Sequence, residues 1–221
     1  MVEAKFAGDK KKGESFLAPV EKEFVKNYLH KVPPYIETYH LTLMTIVWSL
    51  MIILFGYLAQ KNIGWLWLMS IMIFFQYITD LFDGAIGRER KTGLIKWGYY
   101  MDHLLDYIFL CAILIAYFFI LSEKGKVELL FIFALFGAFM VNAFLAFAAT
   151  NEFQITQFKI GPTEIRILFI LLNTALIIFG KDFLENSLPY ALFISLVLLV
   201  IVVYKTQSKI WEIDMKDKYK E

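Results

Sequence analysis

Six apolar runs, at approximately 41–59, 63–82, 98–121, 128–149, 163–180 and 188–204, decide what this chain can fold into. Each approaches the roughly 20 residues needed to cross a bilayer core of about 30 Å. A segment in lipid must satisfy its own backbone polar groups, which for runs of this length means an α-helix. The connections are short. The expected fold is therefore an all-α integral membrane protein whose six transmembrane helices form one bundle. With 59% hydrophobic residues, the chain is not an average soluble domain. Its twenty-two Phe, twelve Tyr and five Trp suit a lipid-embedded surface with interfacial aromatics. Nothing in it points to nucleic acid as a partner. The single cysteine, Cys111, excludes an intrachain disulfide and a cysteine-based metal site, and its apolar neighbours make it a core residue.

Three regions follow from this pattern. Residues 1–36 are charged, mixed in sign, and lack the basic-then-apolar order of a cleaved signal peptide. Within them Leu17, Val20, Phe24 and Tyr28 recur at helical spacing opposite Lys22, Glu23, Lys26 and Asn27. This predicts an amphipathic helix, lying either at the membrane interface or against the protein's own face. Pro33 and Pro34 end it. Residues 37–205 form the transmembrane domain, and 206–221 a basic tail drawn to anionic lipid.

Lys and Arg set the orientation. Seven Lys before the first run share one side with Arg88, Arg90, Lys91, Lys96, Lys159, Arg166 and the five Lys from Lys205 onward. The other side receives only Lys61, Lys124, Lys126 and Lys181. Both termini are expected in the cytoplasm, with the second connection opening toward the cytosol.

That connection lies in the stretch Asp80–Asp106, which carries Asp80, Asp83, Asp102 and Asp106 between two apolar runs. Charge beside or inside a membrane helix is expensive and marks a functional site. Asp80 and Asp83 are i,i+3, while Gly98, Asp102 and Asp106 are i,i+4,i+8, so each set shares a helical face. An antiparallel hairpin with its symmetry point near Gly93 sets Asp83 level with Asp102 and Asp80 level with Asp106. Four carboxylates in one layer require cations or raised pKa values. An oxygen-only donor set suits Mg²⁺, Mn²⁺ or Ca²⁺, and four carboxylates can hold two such ions, a recurrent clamp for displacement at phosphorus. Gly84 and Gly87 share the Asp80/Asp83 face and Gly98 the Asp102/Asp106 face, where absent side chains admit a phosphate or a base, or a neighbouring helix. Arg88 adds a fork suited to phosphate, whereas Arg90, Lys91 and Lys96 serve topology.

The array Asp80-x2-Asp83-Gly84-x2-Gly87-Arg88, then Gly98-x3-Asp102-x3-Asp106, resembles the signature of the CDP-alcohol phosphotransferase family, D-x2-D-G-x2-A-R-x8-G-x3-D-x3-D. Two departures stand out: Gly87 replaces the usual Ala, and nine residues rather than eight separate Arg88 from Gly98. The resemblance implies an enzyme of phospholipid biosynthesis that moves a substituted phosphoryl group from a CDP-linked donor to an alcohol or diacylglycerol, releasing CMP. It implies Asp80, Asp83, Asp102 and Asp106 as ligands of two divalent cations (Mg²⁺ or Mn²⁺) and Asp106 as general base. It also implies Gly84, Gly87, Arg88 and Gly98 as the nucleotide pocket, and a homodimer.

Further along, Gly161-Pro162-Thr163-Glu164-Ile165-Arg166 opens the fifth run. Thr163 is an expected N-cap and Glu164 favours the helix terminus. Glu164 and Arg166 are candidate acceptor-binding residues, with capping and snorkelling as the plainer reading. His40 is taken as interfacial, and His103 as packed on a neighbouring helix away from the carboxylate stripe. The alternative function is a divalent-cation or proton-coupled transporter using the Asp cluster as its ion site. The outer halves of the six runs carry almost no ionisable groups, which opposes a continuous path.

Overall fold

The computed structural model describes residues 10–12, 15–154 and 161–218. Lys5, Lys159 and Lys220, counted above among the cations of one side, lie outside the described residues. The chain forms α1 (Ala18–Tyr28), α2 (Thr38–Ala59), α3 (Leu66–Glu89), α4 (Ile95–Phe118), α5 (Glu123–Thr150), α6 (Pro162–Phe179) and α7 (Lys181–Lys218). Six of these, α2 to α7, are long and apolar enough to cross a membrane. The protein is an all-α integral membrane protein. Among the described residues the only strands are β1 (Lys10–Lys12) and β2 (Glu152–Gln154), a three-residue parallel pairing.

Small residues decide how the bundle closes. Apolar side chains gain nothing over lipid by meeting one another, so close backbone approach and packing set the contacts. On α2 Gly56 faces Ala116 of α4, and a methyl group built on Gly56 would fall onto the Ala116 Cβ and Cα; Ala59 and Ala112 are buried on the same two helices. The two helices meet there almost backbone to backbone. On its other side α2 packs along α3. Ile52, Leu66, Met69, Ile73, Ile113, Ala116 and Leu176 fill this interior with no exposed surface. A polar chain ties α6 into it: the Tyr117 hydroxyl donates to Asn173 Oδ1 at 2.8 Å, and Asn173 Nδ2 donates to Ser70 Oγ at 3.0 Å. Interhelical bonds of this kind contribute roughly 0.6 kcal/mol each in a bilayer.

The consecutive helices α3 and α4 do not pack along each other, and α2 lies against both. The antiparallel hairpin expected from the short connection is therefore splayed into a gap, closed on a second side by α6, which packs on α3. The turn uses left-handed backbone at Lys91 (φ 53°) and Gly93 (φ 74°). Gly93 takes this conformation without a Cβ penalty. Helices α5 and α7 pair beside the core and expose most of their apolar surface, as lipid-facing spans do. At about 1.5 Å per residue, α7 far exceeds a bilayer, and the basic segment from 206 onward continues as helix to Lys218.

Helix α1 docks on the end of the bundle that carries the aspartates. A Glu21 carboxylate oxygen accepts from the Tyr77 hydroxyl of α3 at 3.1 Å and from the Thr163 hydroxyl of α6 at 2.6 Å. Phe24 stacks edge-on to Phe82 at 5.8 Å. The helix thus packs on the protein's own face, while Phe16 and Val20 stay outward and exposed. Arg90, read from sequence as a topological cation, instead donates to the carbonyls of Val32, Pro33, Pro34 and Ile36. It gathers the link between α1 and α2 onto the end of α3.

Candidate metal and phosphate site

Three of the four aspartates converge. Asp80 of α3 and Asp102 and Asp106 of α4 each offer an oxygen within 4.8 Å of the other two. The i,i+4 spacing of Asp102 and Asp106 stacks them on one face of α4, and the splay of α3 from α4 lets Asp80 reach both across the gap. Side-chain exposures of 25% for Asp80, 30% for Asp106 and 31% for Asp102 make the cluster accessible.

Asp83 is held elsewhere. The Thr42 hydroxyl donates to its Oδ2 at 2.6 Å, and the Thr38 hydroxyl donates to its backbone carbonyl at 2.9 Å. The group of three brings Asp80 to both α4 carboxylates, while on the Asp83 side α3 packs along α2. Thr38 and Thr42 were not among the residues singled out from sequence. Their signal was present: Thr38, Thr42, Thr45 and Ser49 repeat at i,i+4,i+7,i+11, a polar face on an otherwise apolar run, and all four are buried.

Arg166 enters the cluster from α6. Its Nη2 donates to Asp106 Oδ1 and lies 3.0 Å from both that oxygen and Asp80 Oδ2, with a side chain only 6% exposed. The guanidinium also lies over the Phe109 ring, 5.8 Å from its centroid. Snorkelling toward the headgroups does not describe it. A buried Arg is tolerated because two carboxylates compensate its charge.

The remaining candidates divide. Gly161, not Thr163, occupies the N-cap of α6, and Thr163 instead donates to Glu21. The Glu164 carboxylate accepts from the Gly161 N–H at 2.8 Å and the Leu17 N–H at 3.3 Å, so it caps its own helix and fixes the entry to α1. Gly98 faces open space. Arg88 lies over Gly84, where a Cβ would stand 3.3 Å from its Nη1, and Gly87 packs against Thr38. His103 Nδ1 lies 2.8 Å from the Tyr99 carbonyl oxygen and 3.7 Å from Asp102 Oδ2, and its ring rests on Phe144 of α5. His40 accepts from the Glu37 N–H at 3.0 Å, capping α2. One turn deeper than Asp80, Gln76 is fully buried and neither amide atom has a protein partner among the described residues.

The fold and this cluster define an integral membrane protein with three carboxylates gathered in a gap between three helices, an oxygen-donor set that could hold a cation. A family model described as CDP-alcohol phosphatidyltransferase matches residues 38–206, and the chain belongs to that family. No curated protein and no solved structure matches the chain. Membership makes it a transferase of phosphate-containing groups in phospholipid synthesis, with a CDP-alcohol donor and an alcohol acceptor, in a family that uses divalent cations.

Proposed function

We propose that the protein transfers a substituted phosphoryl group from a CDP-linked donor to an alcohol and releases CMP. The lipid is carried either on the donor, as CDP-diacylglycerol with a polar alcohol, or on the acceptor, as diacylglycerol with a CDP-aminoalcohol. The observation that carries the reading is the convergence of Asp80, Asp102 and Asp106 within 4.8 Å on the open side of a helix gap. The donor set fits hard divalent ions, since it offers carboxylate oxygens without imidazole or thiolate. Asp80, Asp83, Asp102 and Asp106 would hold two Mg²⁺ or Mn²⁺ ions. Bound there, the ions would supply neutralisation of the charge that builds on the pyrophosphate.

The chain's own residues do the rest. Asp106 takes the proton of the acceptor hydroxyl, whose oxygen bonds to the donor phosphorus bearing the alcohol, while the bond from that phosphorus to CMP breaks. At about 1.5 Å per residue Asp106 stands roughly 12 Å along α4 from Gly98, deep enough to meet a lipid below its headgroup. Gly84, Gly87, Arg88 and Gly98 form the nucleotide end, with Arg88 pairing phosphate oxygens. Glu164 and Arg166 stand on the acceptor side, Glu164 by fixing α1 against α6. The cluster and both termini are read as cytoplasmic, where CDP compounds are made, and the chain as a homodimer.

The decisive experiment supplies purified protein with a panel of CDP-donors and alcohols and measures CMP. Release is expected from one donor class only, to be lost on chelation, and to return with Mg²⁺ or Mn²⁺. Failure of both donor classes would remove the reading. A second result follows from the clamp on Asp83. Thr42→Val is expected to lower CMP release by about 10- to 100-fold, the usual cost of losing a partner that orients a metal ligand. It should also raise the Mn²⁺ concentration needed for half-maximal rate. An unchanged metal requirement would show that Thr42 does not act through Asp83.

A further inference from the structure

Helix α1 carries an acid where its pattern calls for an apolar residue. Leu17, Glu21, Phe24 and Tyr28 recur at i,i+4,i+7,i+11 and so share one face. A carboxylate partly removed from water needs hydrogen-bond partners, and Glu21 finds them on two different helices. One of its oxygens accepts from the Tyr77 hydroxyl of α3 at 3.1 Å and from the Thr163 hydroxyl of α6 at 2.6 Å. Hydrogen bonds to an ionised acceptor are the stronger class. On the same face the Leu17 N–H donates to Glu164 of α6, and Phe24 meets Phe82 of α3. Helix α1 therefore straps α3 to α6, with Glu21 bonded to both.

The place of the strap carries its effect to the aspartates. Tyr77 lies three residues before Asp80, and Thr163 three residues before Arg166. Residues at i and i+3 are neighbours on a helix surface, so each hydroxyl sits beside one member of the Arg166–Asp80 pair. At this end the two helices are joined twice: by the 3.0 Å contact of Arg166 Nη2 with Asp80 Oδ2, and by Glu21. Deeper in the bundle Asn173 and Ser70 make another joint at 3.0 Å. Arg166 Nη2 has to meet oxygens on two helices at once, Asp80 of α3 and Asp106 of α4, each at 3.0 Å. A drift of about 0.6 Å takes such a contact out of hydrogen-bond range. Misplacing a positioned group by about 1 Å can cost about 10²-fold in rate. Helix α1 precedes the matched stretch 38–206, so the strap is a feature of this chain beyond what family membership supplies.

We propose that Glu21 is a positioning residue of the site: through Tyr77 and Thr163 it holds α3 and α6 at the spacing at which Arg166 reaches Asp80 and Asp106. The N-terminal helix is thereby a working part of the site. The effect on rate rests on the reading of the cluster as the place of phosphoryl transfer, whereas the strap itself concerns only how two helices are held.

The test uses the full-length chain in detergent micelles with two readouts, amide hydrogen exchange and the kcat of CMP release. In Glu21→Ala the amides of 165–168, where α6 enters the cluster, are expected to exchange at least about fivefold faster than in wild type, with 172–176 around the Asn173 joint unchanged. Glu21→Gln keeps an oxygen that accepts from both hydroxyls and should exchange as wild type does. Tyr77→Phe with Thr163→Val removes both donors and should reproduce Glu21→Ala, and adding Glu21→Ala to that pair should change nothing further. The kcat is expected to fall about tenfold in Glu21→Ala and to stay within about threefold of wild type in Glu21→Gln. Glu23→Ala, which removes an exposed carboxylate from the same helix, should leave both readouts at wild type. Unchanged exchange in a folded Glu21→Ala protein would overturn the inference and leave the transferase reading standing. A rise in exchange along the whole chain, or a local rise with kcat unchanged, would overturn the positioning role as well. Absence of CMP release from wild type with every donor would remove the transferase reading, and exchange alone would then decide the strap. Should Glu21→Ala fail to fold, Tyr77→Phe with Thr163→Val carries the same comparison.

Discussion

Asp106→Asn is expected to lower CMP release by about 10³-fold or more while the bundle stays assembled. The magnitude follows from the proposed double duty of this side chain. Loss of a positioned proton acceptor costs roughly 10²- to 10⁴-fold, and loss of a metal-ligating charge adds to it. Asn keeps the shape and an acceptor oxygen for Arg166 Nη2, which also retains Asp80 at 3.0 Å. The buried guanidinium is therefore still paired, and the strongly destabilising case of an uncompensated buried charge does not arise. The measurement is CMP release per folded molecule, with gel filtration and thermal unfolding recorded on the same sample. More than a tenth of wild-type activity in a folded Asp106→Asn protein would take Asp106 out of the base role. A fall in the unfolding midpoint matching the loss of activity would instead assign it a structural one.

That so much of this site can be read before any coordinates exist reflects two periodicities. Asp102 and Asp106 sit one helical turn apart, so α4 alone stacks them, and no tertiary information is needed. The six spans are legible for a similar reason, because a bilayer imposes one length on every apolar run. What sequence misjudges is the arrangement between helices. The short connection at 90–94 implies that α3 and α4 lie together, yet the small-residue faces of α2 and α4 win that contact and part them. With that displacement Thr42 donates to Asp83, and Asp80 meets both α4 carboxylates. Arg166 is the sharpest case. A count of Lys and Arg assigns it to a loop-side charge excess, because counting carries no depth, whereas its place one turn inside α6 delivers it to the aspartates. Thr163 misleads in the same way: a good N-cap residue type lies two positions past the actual cap and spends its hydroxyl on Glu21.

If the α2–α4 contact is what parts α3 from α4, then Gly56→Ala should be costly out of proportion to its size. In an isolated helix the exchange is favourable by up to about 1 kcal/mol, because Ala restricts the unfolded backbone and suits the helix better. Here the added methyl would land on the Ala116 Cβ and Cα, and backbone cannot rotate away as a flexible side chain can. Overpacking of a tight core costs typically 1–3 kcal/mol, so the net sign should reverse, with a lower unfolding midpoint in detergent and a poorer yield of monodisperse protein. Gly56→Val, larger and branched at Cβ, is expected not to assemble. The companion exchange Ala116→Gly removes the Ala116 Cβ but leaves its Cα 2.5 Å from the new methyl, so the double variant Gly56→Ala, Ala116→Gly should recover only part of the lost stability. A coupling of that kind belongs to residues in contact and not to two independent helix effects. CMP release should follow the folded fraction, since α2 also carries Thr42, which holds Asp83. If Gly56→Ala is instead as stable as wild type, the close approach is not what spaces the helices, and the gap that admits the aspartates must have another cause.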